Sequence, residues 1–133
     1  MSYVETKSAQ PEDIKAIEKA VNLYFRGTYN ANEDEIRAAF YENSRITGFF
    51  DGSYIEWNLD EFIGRVLGMP SQKEMGDTFR KNIVFIDQHA SIAIVKAYSP
   101  AMHYEFYDYI TLARLGQEWK IIHKSFTNEI YGT

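Results

Sequence analysis

Asp108 is the residue of this 133-residue sequence whose surroundings best suit acid–base chemistry. It alternates with Phe106, Ile110 and Leu112 in a segment rich in aromatic and β-branched residues, so a strand here would place all four on one face. Because burial disfavours the charged form, the pKa of a carboxyl group on an apolar face rises. Asp108 is therefore either a general acid or base, or a structural residue held by hydrogen bonds.

Three more polar side chains could complete a site with Asp108. Tyr24 falls on the apolar stripe of a predicted helix, where its hydroxyl either enters a pocket or packs in the core. His123 alternates with Trp119 and is expected to share its face, as a base or as a satisfied core residue. Lys124 then lies on the opposite face. If that face lines the pocket, Lys124 anchors an anion or pairs with an acid, and His123 points away.

Other chemistry has weaker support in the sequence. Asp51 could be a base near a pocket mouth, but an aspartate followed by Gly52 is more simply a hairpin turn residue. His89, His103 and His123 lack the helical spacing of a zinc protease and have no acidic cluster nearby. Neither a Gly-rich phosphate loop nor a nucleophile elbow occurs. We therefore predict no metal and no cofactor.

Composition excludes several classes of function. The chain has 45% apolar and 16% aromatic residues, enough for one core; the aromatic rings suit a cavity wall or a tightly packed interior equally. The net charge is −5 and the basic residues are scattered, which argues against nucleic-acid binding. No apolar run is long enough for a membrane span, no Cys is present, and Met1–Glu5 does not resemble a signal peptide. We expect a cytoplasmic protein.

Periodicity and capping residues predict three helices. After a frayed segment over residues 1–10, apolar residues at helical spacing indicate a long helix from Pro11 to Thr28. Asn32 can cap a second, shorter helix. Asn58 can cap a third, which Gly68 ends. The long helix is the element that would carry Tyr24.

The remaining segments alternate as strands do. Arg45–Phe50 and Tyr54–Trp57 form a predicted hairpin, and the loop Met69–Asp77 is either a connection or a mobile lid. Four further strands are predicted: Phe79–Ile86, Ala90–Tyr98, His103–Leu115 and Glu118–Phe126. Helices and antiparallel strands that are separated along the chain indicate an α+β fold, here one domain over residues 11–130.

Several short segments, in order and at a characteristic spacing, resemble one superfamily. They are Tyr24-Phe25 with Gly27, Gly48-Phe49-Phe50-Asp51-Gly52, Leu59-Asp60-Glu61-Phe62, Tyr107-Asp108-Tyr109, and Trp119-Lys120-Ile121 with Lys124 and Phe126. From about Pro11 to Phe126 the chain resembles the NTF2-like superfamily, in its SnoaL-like and lumazine-binding-like branches. The resemblance implies a cystatin-like cone, in which a curved mixed or antiparallel sheet wraps around the long N-terminal helix with two shorter helices. It also implies a pocket at the open end and a homodimer through the outer sheet face.

Two functions follow from this resemblance, since the superfamily contains both enzymes and carriers. The first is a homodimer that binds an unassigned small molecule in a cone-shaped apolar pocket without catalysis, or a structural relative whose pocket is filled by aromatic side chains. The alternative is a cofactor-independent isomerase, dehydratase or cyclase with Asp108 or His123 as base and Tyr24 as donor. The predicted ligand contacts are Tyr24, Tyr41, Phe50, Trp57, Phe62, Tyr107, Trp119 and Lys124.

Strand register decides which of these side chains reach the pocket. A shift by one residue would exchange Asp108 with Tyr107, and His123 with Lys124, between the two faces. The sequence leaves open which face of the last strand lines the pocket, which ligand it holds, and whether catalysis occurs.

Overall fold

The computed structural model describes residues 10–130 of the chain, which form an α+β fold. In order, the elements are α1 (Pro11–Asn30), α2 (Glu33–Ala39), β1 (Phe40–Phe50), β2 (Ser53–Asn58), α3 (Leu59–Leu67), β3 (Asn82–His89), β4 (Ile92–Tyr98), β5 (Tyr104–Leu115) and β6 (Glu118–Ile130). The fold class is as predicted. Residues 1–9 of the segment predicted to fray lie outside the described residues, and the domain limits 1–10 and 11–130 stay predictions.

The helices begin where the sequence predicts. Pro11 occupies the first turn of α1, where its missing N–H leaves no hydrogen bond unmade. The side chain of Asn32 accepts a hydrogen bond from the Glu35 N–H at 3.1 Å and so caps α2. At α3 the capping box is complete, because Asn58 and Glu61 each bond the other's backbone N–H.

The six strands of residues 10–130 form one mixed sheet that curves around α1. Their order is β2-β1-β6-β5-β4-β3, and β1 runs parallel to β6 while every other neighbouring pair is antiparallel. α1 packs against β6 and β3 with Ile17, Val21, Tyr24 and Phe25 buried. The inner face of the sheet and this helix therefore enclose the core.

A β-bulge in β6 changes the face on which its side chains lie. Leu112 pairs with Ile121 and the neighbouring Thr111 pairs with His123, so Ile122 is an extra residue without a partner on β5. One extra residue reverses the alternation of all side chains that follow it.

The bulge makes the predicted alternation of β6 wrong in its second half. Trp119 and Ile121, before the bulge, are buried. After it, Lys124 and Phe126 are buried, whereas His123 faces outward and its Nε2 lies 2.9 Å from the hydroxyl of Thr47. His123 thus does not share the face of Trp119, and Lys124 belongs to the inner face.

The third strand begins three residues later than predicted and also ends later. β3 covers Asn82–His89, whereas the prediction was Phe79–Ile86. The opposite strand explains the late start: Asn82 pairs with Tyr98, and Pro100 has no N–H with which to extend the ladder. The irregular segment between α3 and β3 therefore runs from Gly68 to Lys81.

Two turns carry backbone angles that identify them. Asp51 and Gly52 both have positive φ, 49° and 83°, as the predicted hairpin turn requires, so Asp51 is a turn residue. The turn after β3 lies at Ala90-Ser91 and not at the predicted position around Asp87. The strand continues because Gln88 is buried and its amide donates to the carbonyl of Ala90 at 2.9 Å.

Gly48→Ala is expected to destabilise the protein strongly, because β1 and β6 approach closely at this position. A Cβ at Gly48 would lie 2.1 Å from the Phe126 carbonyl oxygen and 2.6 Å from its ring. We expect the free energy of unfolding to fall by about 3 kcal/mol or more.

The matched control is Gly64→Ala, because a Cβ at this helical position meets nothing within 4 Å. This variant should be unchanged or more stable by about 0.5–1 kcal/mol, since alanine favours the helix. Urea unfolding of the three proteins measures both effects, and equal stability of the Gly48 and Gly64 variants would contradict the close approach.

Candidate functional site

A buried hydrogen bond joins α1 to the middle of the sheet. The Tyr24 hydroxyl donates to Asp108 Oδ2 at 2.6 Å, and both residues are buried. Asp108 Oδ1 is also buried but has no hydrogen-bond partner among the described residues. Since buried polar atoms are nearly always paired, this oxygen is an unused acceptor at the centre of the molecule.

Burial determines the protonation of this pair. It raises the pKa of Asp108, while the positive charges of Lys124 and Lys81 and the hydrogen bond from Tyr24 act in the opposite direction. Burial also holds the pKa of Tyr24 well above its ordinary value, and the nearby Asp108 charge raises it further. Tyr24 is therefore a protonated donor, and Asp108 is a carboxyl that retains its proton to a higher pH than an exposed one.

Lys124 brings a positive charge into the same interior. Its ammonium lies 4.9, 4.4 and 5.1 Å from the ring centroids of Tyr24, Phe62 and Phe126. Within residues 10–130 we find no hydrogen-bond acceptor for it, so these aromatic faces are its observed partners. Burial lowers the pKa of Lys124, and the negative charge of Asp108 partly offsets that effect.

Lys81, just before β3, is a second buried lysine at this site. Its ammonium donates to Ser99 Oγ at 3.1 Å and to the Pro100 carbonyl at 3.2 Å. Burial lowers the pKa of Lys81 to about 8, against the attraction of Asp108. The nearby Ser99 hydroxyl also lowers the pKa of Tyr24, so Lys81 and Ser99 lie beside the Tyr24–Asp108 pair.

Aromatic rings connect this polar cluster to partly exposed positions. Phe50 contacts Tyr104 and Phe106 with ring centroids 5.1 and 6.0 Å apart. Phe126 contacts Phe106 at 6.1 Å and Trp57 at 6.2 Å. We call this series the aromatic path; its members are Phe50, Trp57, Phe62, Tyr104, Phe106 and Phe126. Phe62 and Phe126 are buried beside Lys124, and the other four are half-buried.

The structure brings together only part of the predicted site. Tyr24, Asp108, Lys124 and Phe62 meet in the interior, and Phe50 and Trp57 belong to the aromatic path. Four other predicted residues do not join this cluster: Tyr41, which is exposed; Tyr107 and His123, which lie on the outer sheet face; and Trp119. The Trp119 indole N–H instead donates to Asp13 at the start of α1, at 3.1 Å.

Lys81 and Ser99 are the site residues that the sequence analysis missed. Lys81 precedes the inward-facing Ile83 by two positions, so the period-2 alternation of a strand could have placed it on the inner face. No signal of this kind marks Ser99, because its role depends on which residues the fold places beside it.

Two surface cavities lie away from the buried cluster. One of about 330 Å³ is on the outer sheet face and is lined by Asp87, His89, Ile92, Ala93, Ile94 and Thr111. The other, of about 380 Å³, lies between β1 and the start of α3 and is lined by Glu42, Asn43, Ser44, Arg45, Asn58, Leu59 and Asp60. Neither contains a residue of the Asp108 cluster. Because an acid–base or binding site needs convergent polar groups, we assign the candidate site to the cluster and not to these cavities.

The described residues 10–130 contain neither a metal-binding cluster nor a membrane-spanning helix. No group of three or more His, Asp or Glu side chains there could hold a metal ion. No helix in that range is both long and apolar enough to cross a membrane.

Comparison with known proteins shows a family and a fold to which the chain is similar. Residues 12–127 match the family model described as "Putative lumazine-binding". No curated protein matches. An NTF-2 like protein of unknown function from Silicibacter pomeroyi DSS-3 superposes with a TM-score of 0.80 at 18% identity, covering 89% of this chain and 97% of that one.

Two further solved structures share the fold. An NTF2-like protein of unknown function from Shewanella baltica OS155 has a TM-score of 0.79 at 16% identity, covering 92% and 98% of the two chains. A ketosteroid isomerase-like protein from Erwinia carotovora atroseptica SCRI1043 has a TM-score of 0.68 at 13% identity, covering 90% and 98%. At these identities the likeness shows the fold alone, which is the cone predicted from the sequence.

Lys81→Met is expected to change how stability depends on pH. The pKa of Lys81 is about 8 in the folded protein and about 10.5 when exposed, so the folded state releases this proton more readily. The free energy of unfolding of wild type should therefore increase relative to that of the variant as the pH rises from about 8 to about 10, by at most about 3 kcal/mol. Below about pH 8 the difference in stability between the two proteins should stay constant.

Urea unfolding of both proteins at several pH values between about 7 and 10 measures this difference. Lys73→Met, which removes an exposed lysine, controls for the loss of one charge. A stability difference between wild type and Lys81→Met that stays constant over the whole range would show that Lys81 titrates normally.

Proposed function

This chain belongs to the family described as "Putative lumazine-binding", and from that premise we propose that it binds a small molecule inside the cone. One observation carries the proposal: among the described residues, Asp108 Oδ1 is buried without a hydrogen-bond partner beside the Tyr24 hydroxyl. A buried acceptor left unpaired costs about 1–3 kcal/mol. A ligand that donates a hydrogen bond to Oδ1 would recover this free energy.

The aromatic path is the proposed contact surface for the rest of the ligand. Its rings offer a flat, apolar surface that leads from half-buried Tyr104 and Phe50 to buried Phe126. Because these rings touch one another, a ligand enters by displacing the half-buried ones. A molecule with an apolar or aromatic body and one hydroxyl or N–H group fits this arrangement. Lumazine, named in the family description, has ring N–H groups and is a suitable first probe.

Asp108→Asn is expected to weaken ligand binding. The asparagine can present an N–H where Oδ1 accepted, so the ligand's donor loses its partner. We expect an affinity loss of about tenfold to a hundredfold. The experiment is isothermal titration calorimetry of lumazine and of a set of ring compounds that carry hydroxyl or N–H groups.

Asp87→Asn is the matched control, because Asp87 is an exposed carboxylate on the outer sheet face. Circular dichroism verifies that both variants are folded. Equal affinity of wild type and Asp108→Asn for every compound that binds would place the binding site elsewhere.

A cofactor-independent enzyme is the second candidate function, and the Tyr24–Asp108 hydrogen bond favours it. Asp108 has a raised pKa and a free oxygen, which suits a carboxyl that removes and returns a proton. His123 has no role in this proposal, because its side chain faces outward toward Thr47. The two candidate functions are distinguished by following, with NMR in D2O, the exchange of ligand C–H groups for deuterium. A carrier binds the ligand without exchange, whereas an isomerase catalyses exchange that Asp108→Asn abolishes.

We also propose that two copies associate through the outer sheet face, as the NTF2-like resemblance implies. Phe85, Ile92, Ile94 and Tyr109 lie on neighbouring strands there and are 39–53% exposed. An exposed apolar surface of this kind is typical of an interaction site. A second copy fits it because a two-fold contact pairs one surface with itself, and the Lys96 ammonium over the Tyr109 ring at 5.6 Å adds a polar element.

The double variant Ile94→Lys/Tyr109→Lys is expected to be a monomer. Four added charges across a two-fold contact repel one another and must lose water on association. Light scattering on a size-exclusion column should give twice the mass of one chain for wild type and a single-chain mass for the variant. Met75→Lys, at an exposed apolar residue outside the sheet, should remain a dimer. A monomeric wild type at micromolar concentration would refute the dimer.

A further inference from the structure

We propose that the ligand of the cone carries a carboxylate group that pairs with the Lys124 ammonium, so that the ligand class is a small aromatic or apolar monocarboxylic acid. This inference deepens the proposed binding function and rests on it. The observation behind it is the ammonium of Lys124, which is buried and touches three aromatic rings but, in the described part of the chain, no hydrogen-bond acceptor.

The charges around the cluster do not balance. Asp108 is the single buried acid of this cluster, whereas Lys81 and Lys124 are two buried bases. Tyr24 also faces Lys124 and is neutral, and the rings of Phe62 on α3 and Phe126 on β6 lie against the ammonium. A buried charge needs a counter-charge, so one anionic group is missing when both lysines are protonated.

Asp108 does not supply the missing partner of Lys124. Its Oδ2 accepts from Tyr24, and its Oδ1 has no hydrogen-bond partner in the part of the chain that the structure describes, so no hydrogen bond joins Asp108 to the ammonium. Lys81 is already bound to the neutral oxygens of Ser99 and Pro100. Lys124 is therefore the ammonium with N–H groups available to an entering ligand.

A carboxylate fits this position better than a phosphate. One lysine ammonium with aromatic neighbours matches a monoanion, whereas phosphate sites use an arginine fork, a helix N-terminus or a Gly-rich loop. The aromatic rings around Lys124 would contact the body of the acid, and Oδ1 of Asp108 would accept from a hydroxyl or N–H on that body. Hydroxylated aromatic acids and indole acids combine these features.

The test compares acids with their neutral amides. Wild-type protein is titrated calorimetrically with 4-hydroxyphenylacetate and 4-hydroxyphenylacetamide, and with indole-3-acetate and indole-3-acetamide; inorganic phosphate is included as a plain anion. We expect each acid to bind about tenfold or more tightly than its amide, with phosphate binding weakly. Because this comparison uses only the wild type, it does not depend on the folding of a variant.

Lys124→Met tests whether Lys124 binds the carboxylate of the ligand. Methionine has a similar length and packs well against aromatic rings, so the variant should fold, and its preference for acid over amide should fall to about one. Lys120→Met, on the same strand but with its ammonium at the surface on the Ala38 carbonyl, should keep the full preference.

The outcomes separate this inference from the proposed function. If acids and amides bind equally and both are weakened by Asp108→Asn, the carboxylate inference fails and small-molecule binding in the cone stands. If Lys124→Met keeps the preference for acids, the anion lies elsewhere and the inference also fails. If none of the four compounds binds at millimolar concentration, the inference is overturned, and lumazine binding then decides the proposed function separately.

Discussion

The hydrogen bond from Tyr24 to Asp108 joins the long helix to the central strand of the sheet, and the burial of that carboxyl governs the charges around it. Asp108 attracts both buried lysines, which keeps their protonated forms accessible in an interior that otherwise disfavours them. The same negative charge holds the proton on the Tyr24 hydroxyl. The arrangement of donors and acceptors inside the cone thus follows from the position of one side chain on β5.

The buried ionisable groups of this interior lower the stability of the fold relative to an apolar core. Apolar residues of equal volume at Asp108, Lys81 and Lys124 would avoid the desolvation of three ionisable groups, and buried charges are often replaced by such residues without loss of stability. Within residues 10–130, the unpaired Oδ1 of Asp108 and the Lys124 ammonium, which contacts aromatic rings and no hydrogen-bond acceptor, add to the cost. Polar groups that do not serve stability are expected at functional sites, where stability is given up for binding or chemistry.

Local rules in the sequence predict most of the architecture and only part of the site. The caps at Asn32 and Asn58 and the turn at Asp51-Gly52 depend on neighbouring residues, so a short segment determines them. The bulge at Ile122 depends on how β6 pairs with β5 and β1, so no local sequence pattern predicts it. Because of that single extra residue, the prediction put His123 on the wrong face, and the structure places Lys124 on the inner face of the sheet. Lys81 could have been placed on the inner face by its alternation with Ile83, whereas the role of Ser99 depends on residues that are distant in sequence.

The parallel pairing of β1 with β6 has a consequence for the order in which the protein folds during synthesis. The first and last strands are neighbours, and Tyr24 finds its hydrogen-bond partner 84 residues further along the chain. The part of α1 that packs on the sheet and one edge of β1 therefore remain uncovered until β6 has been synthesised. Contacts this distant in sequence slow folding and expose aggregation-prone surface meanwhile.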